Sequence, residues 1–67
     1  ETVSDRRLKT DIKRVGETNS GLPVYTYRYK GEETYHIGVM AQDVEKVRPD
    51  AVHEEQGYLK VDMSKVA

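Results

Sequence analysis

Cysteine, tryptophan and phenylalanine are all absent from the 67 residues, and proline occurs only twice. Without cysteine there is no disulfide staple and no thiolate metal site, two devices on which small domains commonly rely. Long apolar runs are missing too. Nothing approaches the roughly 18–20 residues of a membrane span, and the N-terminus has no signal-peptide core. Neither sign of charge is in excess: 11 Lys and Arg stand against 12 Asp and Glu, for a net charge of −1. A nucleic-acid-binding domain is commonly basic, with a pI above about 9, whereas this chain has a pI near 6.1. The five glycines, at positions 16, 21, 31, 38 and 57, are too scattered for a phosphate-cradling loop or a dinucleotide fingerprint. Hydrophobic residues make up 36% of the chain, and a domain this small buries only about 60% of its unfolded surface. The expected core is thin, so assembly or a larger parent polypeptide is the expected source of further burial.

What is present is charge in two blocks and a clear change of period along the chain. Residues 5–14 hold Arg6, Arg7, Lys9, Lys13 and Arg14 against Asp5 and Asp11. Residues 43–62 lean acidic, so a basic start on one copy could meet an acidic end on another. Each charge is equally readable as part of a solvated face. Leu8, Ile12 and Val15 fall at i, i+4 and i+7 and predict a first helix, with Ser4 and Asp5 as capping residues and Gly16 as its stop. Thr18 to Pro23 has turn composition, and Pro23 predicts an edge strand. Val24 to Lys30 alternates strictly, putting Tyr25, Tyr27 and Tyr29 on one face. With a turn at Gly31–Glu33 and a strand over 35–40, residues 24–40 predict a hairpin. The three tyrosines would cover their own sheet or a subunit contact. Met40, Val44 and Val47 predict a short second helix that Arg48-Pro49 must end. Ala51–His53 and Tyr58–Val61 predict short strands around a turn at 54–57, and Asp62 is placed to cap a last helix from Met63. The fold class expected is therefore α+β, with small antiparallel hairpins and short helices.

Ser4 and Lys9 are the first chemical candidates, since a desolvated, neutral lysine can activate a serine hydroxyl. Spacing resists the pairing. Five residues turn a helix by about 500°, leaving the two side chains about 140° apart, and in a strand an odd separation points them to opposite faces. They meet only if the chain bends between them, or if the lysine comes from a neighbouring subunit. From spacing alone, an N-terminal capping serine and a solvated lysine are the better account of the two residues. His36, beside the small Gly38, is readable as a structural hydrogen-bonding residue or a general base. Together with His53 it makes no metal-ligand spacing. Gln42 could cap the second helix or reach across an interface.

Taken together, the residues resemble a known family. Ser4-Asp5-Arg6-Arg7-Leu8-Lys9 followed by Ile12 is similar to the opening of the endosialidase-type intramolecular chaperone domain of phage tailspikes and tail fibres. Leu22-Pro23-Val24-Tyr25 with Tyr27 and Tyr29 resembles its tyrosine-rich strand. The segment from His36 through Ala41-Gln42-Asp43-Val44 resembles its next block, and Pro49–Val52 and Gly57–Asp62 match the remaining blocks in order. The resemblance implies a self-cleaving, homotrimeric chaperone for the upstream fibre of the same polypeptide. It implies Ser4 as nucleophile, Lys9 as general base and Val3–Ser4 as the scissile bond, with Asp5, His36 and Gln42 in supporting roles. Residues 1–3 would then be the end of the fibre and residues 4–67 the chaperone domain, with burial in the trimer interface lowering the lysine pKa. No cofactor, metal, nucleic acid, membrane or small-molecule substrate is implied. The implied setting is a virion tail-fibre precursor acting in the host bacterial cytoplasm. The family commonly continues into a long C-terminal helix, of which Met63–Ala67 would be a truncated start. An alternative keeps the fold without the chemistry, as a non-cleaving trimerisation cap. A third makes the domain part of a DNA-binding protein, since a related module releases a eukaryotic membrane-bound transcription factor by the same cut.

Overall fold

The computed structural model describes residues 1–66, so Ala67, the last residue of the helix expected after Asp62, lies outside it. Two antiparallel three-stranded sheets and one short helix make an α+β fold. The strands are β1 (Thr2–Val3), β2 (Lys9–Glu17), β3 (Pro23–Tyr29), β4 (Tyr35–Gly38), β5 (Val52–Glu55) and β6 (Tyr58–Val61). The helix α1 spans Ala41–Val47, and three short 3₁₀ turns lie at Arg6–Leu8, Pro49–Ala51 and Met63–Lys65. One sheet has the order β2-β3-β4 and the other β1-β6-β5.

The hairpin expected over 24–40 is present, with Tyr25 opposite Gly38 and Tyr27 opposite His36. The β5–β6 hairpin turns on Gln56 and Gly57, both at positive φ (53° and 86°). A two-residue loop with two left-handed positions matches the twist of the strands it joins. Helix α1 ends before Pro49 as expected, because the ring clashes with a helical predecessor. Asp62 does cap the final turn, its carboxylate accepting from the Ser64 amide.

Three expectations fail in the N-terminal half. No helix covers residues 5–15; a single 3₁₀ turn at Arg6–Leu8 runs directly into β2. The misleading spacing of Leu8, Ile12 and Val15 comes from a strand with two register shifts, between Thr10 and Lys13 and between Arg14 and Gly16. Bulges of this kind insert residues and erase the two-residue alternation. Asp11 takes φ 54° at the first of them, and its carboxylate is held by Arg28 Nε (3.0 Å) and the Tyr35 hydroxyl (2.8 Å). Gly16, expected to stop the helix, lies within β2. Pro23 opens the central strand rather than an edge strand; as the first residue of β3 its missing N–H costs no interior ladder bond.

The core gathers Leu22, Val39, Ala41, Val44, Ala51 and Val61, where α1 packs on β5 and β6. Met40 and Val44 are fully buried, but Val47, the third member of the expected stripe, is 62% exposed at the helix end. Truncating Met40 to Ala is expected to cost about 2–5 kcal/mol, a large share of the roughly 5–15 kcal/mol that keeps a domain folded. A urea titration of Met40→Ala checks this as a lower midpoint with an unchanged slope.

Candidate active site

Among the described residues three polar or charged side chains are buried, and all lie within one six-residue stretch: Ser4 (4% exposed), Asp5 (0%) and Lys9 (3%). Burying such groups is unfavourable unless each finds partners, so their surroundings define the site. The approach is fixed by β1, which pairs with β6 through Thr2–Val61 and Val3–Lys60. The ladder extends one bond further, from the Ser4 amide to the Leu59 carbonyl (3.1 Å). The Ser4 carbonyl accepts from the Ala41 amide at the start of α1 (2.9 Å). The chain then bends through the 3₁₀ turn, and Lys9 enters β2 directly opposite Tyr29 of β3.

That bend removes the geometric objection. Lys9 Nζ lies 2.8 Å from Ser4 Oγ within one chain, so the contact needs no lysine from a neighbouring subunit. Nζ also donates to the Val39 carbonyl (3.0 Å), which accepts the Ser4 hydroxyl as well (2.6 Å). The third side of the ammonium is covered by the Tyr27 ring, 3.9 Å from its centroid. Burial lowers the Lys9 pKa to about 8, and the Arg6 charge adds to the shift, while Asp5 opposes it. The depression expected from a trimer interface thus arises inside a single chain. The Tyr27 hydroxyl is pushed up to about 12, chiefly by its own burial, so the ring faces the lysine as a neutral π surface.

Asp5 builds the bend. Its carboxylate accepts from the Arg7 amide (2.9 Å), Arg7 Nε (3.1 Å) and Arg7 Nη2 (2.8 Å), capping the 3₁₀ turn. It also accepts from Gln42 Nε2 (2.9 Å) and the Leu59 amide (3.0 Å). These bonds, those from Arg7 foremost, hold the carboxyl far below the usual carboxylate range. Gln42 accepts from the Arg6 amide (2.9 Å) with its other end. It therefore ties α1 to the turn rather than capping the helix. Among the described residues no hydrogen bond joins His36 to Ser4 or Lys9. It stacks on Tyr27 (centroids 5.8 Å apart) and meets the Tyr29 ring edge-on (5.1 Å). Its buried Nε2 has no hydrogen-bond partner among the described residues, and a Glu32 carboxylate oxygen lies 3.7 Å away.

Sequence reasoning passed over two participants. Tyr29 reads in the sequence as one of three tyrosines on a strand face, yet its hydroxyl donates to the Val3 carbonyl (2.9 Å). The register that puts it opposite Lys9 depends on the β2 bulges and has no signature in composition or spacing. The second, the Val39 carbonyl, is backbone, which sequence does not mark. Both polar groups of the Val3–Ser4 peptide are therefore held, its carbonyl by Tyr29 and its N–H by Leu59. A groove of about 610 Å³ lined by Thr18, Asn19, Ser20, Val39, Met63 and Val66 shares only Val39 with this arrangement. The peptide bond is threaded through the site itself.

A family model described as chaperone of endosialidase, in a family classed with peptidases, matches residues 4–53. The chain belongs to that chaperone-of-endosialidase family. No curated protein and no solved structure gives a match. The matched span begins at Ser4 and contains Asp5, Lys9, Tyr29, His36 and Gln42. In this member of the family, then, a peptidase-related, chaperone-type domain has its buried polar groups at the start of the matched region.

Two predictions follow from the electrostatics. The folded pKa of Lys9, about 8, lies below its ordinary 10.5, so above pH 8 the folded chain binds fewer protons than the unfolded one. Stability from this group is therefore complete only at high pH and is lost as pH falls through about 8. Tyr27 acts oppositely above its ordinary value of 10.0, which leaves pH 8–10 as the window to examine. Urea midpoints are expected to rise across it in the parent chain and to rise less in Lys9→Met. Asp5→Ala removes the cap and strands the Leu59 amide. An expected cost of about 2–4 kcal/mol is measurable by the same titration at pH 7.

Proposed function

We propose that this domain is a C-terminal intramolecular chaperone of a phage tail fibre or tailspike, which trimerises, assists the upstream fibre and releases itself by cutting Val3–Ser4. The observation that carries the reading is the 2.8 Å contact between Lys9 Nζ and Ser4 Oγ, buried and adjoining the peptide to be cut. Below its pKa of about 8 the lysine is charged and Nζ has no free lone pair, while the serine hydroxyl donates to the Val39 carbonyl. When Nζ loses its extra proton, the hydroxyl can turn to the amine. Lys9 then takes the Ser4 Oγ proton as Oγ attacks the Val3 carbonyl carbon. The resulting tetrahedral oxyanion collapses with cleavage of the C–N bond, and Lys9 returns the proton to the departing Ser4 nitrogen. The product is an ester between Val3 and Ser4 Oγ with a free Ser4 amine. Water hydrolyses it to the Val3 carboxylate and restores the serine. Holding nucleophile and carbonyl in one chain contributes up to about 7–11 kcal/mol in well-oriented cases.

Assembly as a homotrimer in the host bacterial cytoplasm is part of the same proposal. It is supported by Tyr35 and Ile37, 61% and 69% exposed on the edge strand β4. An edge strand carrying large exposed apolar residues invites pairing with another chain. A second reading, the non-cleaving trimerisation cap, is favoured by the short Ser4–Val39 hydrogen bond, which satisfies the hydroxyl without any chemistry.

Refolding the chain from urea and following its intact mass separates the two. Self-cleavage removes residues 1–3, with a rate that rises about tenfold per pH unit below pH 8 and then levels, because the base must be neutral. Ser4→Ala is expected to abolish the mass loss, and Lys9→Ala to slow it about 10²–10⁴-fold. An unchanged mass in a folded three-chain assembly at every pH supports the cap instead.

A further inference from the structure

We propose that Tyr29 is a catalytic residue of this cleavage, its hydroxyl serving as the oxyanion donor for the Val3 carbonyl. The inference rests on the self-cleavage reading above and assigns it an electrophilic group. The Tyr29 hydroxyl donates to the Val3 oxygen at 2.9 Å, within the 2.7–3.1 Å range that oxyanion donors occupy. As the carbonyl carbon becomes tetrahedral, its oxygen stays attached and gains a negative charge. The same hydrogen bond then becomes charge-assisted and stronger. Ground-state binding is weak by comparison, so the contact favours the transition state. Tyr29 keeps its proton throughout; the proton that moves travels from Ser4 Oγ to Lys9 and on to the Ser4 nitrogen.

The position of the ring is set by the fold. Tyr29 is the cross-strand partner of Lys9, so the proton acceptor and the oxyanion donor reach the scissile peptide from adjacent strands. Its ring is packed edge-on by Tyr27 (5.5 Å) and His36 (5.1 Å). His36 also stacks on the Tyr27 ring (5.8 Å). The alternative partner for the Val3 carbonyl would be water, which must reorganise as charge develops, whereas a packed phenol need not.

The test uses the whole chain refolded from urea, with intact mass followed at several pH values. Tyr29→Phe keeps the ring and removes only the donor. Its first-order rate is expected to fall about 10²–10³-fold, with the midpoint of the pH–rate profile still near 8 because Lys9 is untouched. Tyr25→Phe, which removes a hydroxyl bonded to Asp43 instead, is expected to cleave at the parent rate. Added hydroxylamine intercepts the ester, so in its presence the rate reports the first step, and Tyr29→Phe is still expected to be slower than the parent there. Parent-like cleavage by Tyr29→Phe overturns the Tyr29 assignment and leaves self-cleavage standing. Absence of cleavage in the parent chain overturns both. Should Tyr29→Phe fold poorly by circular dichroism, 3-fluorotyrosine at position 29 decides: its more acidic hydroxyl is expected to speed cleavage, and an unchanged rate overturns the assignment.

Discussion

The carboxylate of Asp5 is the constraint on which the rest of the site depends. It is fully buried, and it gathers donors from the 3₁₀ turn, from α1 through Gln42 and from β6 through the Leu59 amide. A buried charge is tolerable only when hydrogen-bonded on most sides, and five bonds from three elements meet that condition. The bend that these bonds hold is what brings residue 9 back to residue 4. Arg7 supplies three of the five while its own side chain stays 62% exposed, so the pair is desolvated on one side only. The Arg7 guanidinium is itself steadied by the Gly57 carbonyl (2.7 Å) and the Tyr58 ring (5.1 Å), which fixes the β5–β6 turn against the same anchor.

The partnering of charges matters as much as their burial. A direct Asp5–Lys9 bridge would hold the lysine protonated, since an opposite charge nearby favours the charged form. Asp5 instead accepts its hydrogen bonds from Arg7, Gln42 and Leu59, and its residual pull on Lys9 is outweighed by burial and by Arg6. Lys9 is left with a serine hydroxyl, a backbone carbonyl and an aromatic face. These partners tolerate the ammonium without fixing it in the charged form. One carboxylate and one ammonium, four residues apart, are thus both driven to lower pKa values, for opposite reasons. The carboxylate has many donors; the ammonium has lost its water.

How much of this was legible in the sequence depended on whether a feature is local. The β3 alternation, the Pro49 stop, the Asp62 cap and the β5–β6 hairpin follow from neighbouring residues, and the structure has them. The N-terminal segment does not, because its conformation is decided by pairing with β3 and by the Asp11 bulge. Helical spacing of Leu8, Ile12 and Val15 was a by-product of those bulges. Ser4 and Lys9 could be singled out by type, but their contact could not: it depends on a bend held by Gln42 and Leu59, 37 and 54 residues from Asp5. Tyr29 was invisible for the same reason. Its strand was predictable, its register against β2 was not.

The groove lined by Thr18, Val39 and Met63 shares only Val39 with the Ser4–Lys9 arrangement, and under the proposed self-cleavage that separation has a kinetic meaning. An enzyme that turns over must release product and bind again, and its site has to open. A domain that cuts one bond of its own chain once needs neither. A barrier near 22 kcal/mol still gives a half-life of roughly half an hour, which suffices for a reaction that happens once per chain. At pH 7, with a pKa of about 8, roughly one lysine in ten is neutral, a loss such a reaction absorbs without difficulty. A buried site is then an advantage, because low polarity both depresses the lysine pKa and strengthens the hydrogen bond to the developing oxyanion. Both effects exist only once β1, the Asp5 turn and the β2–β3 pairing are in place. Under the proposed self-cleavage, folding itself therefore switches the chemistry on, because the unfolded chain has a solvated Lys9 and an unbent residue 4–9 segment.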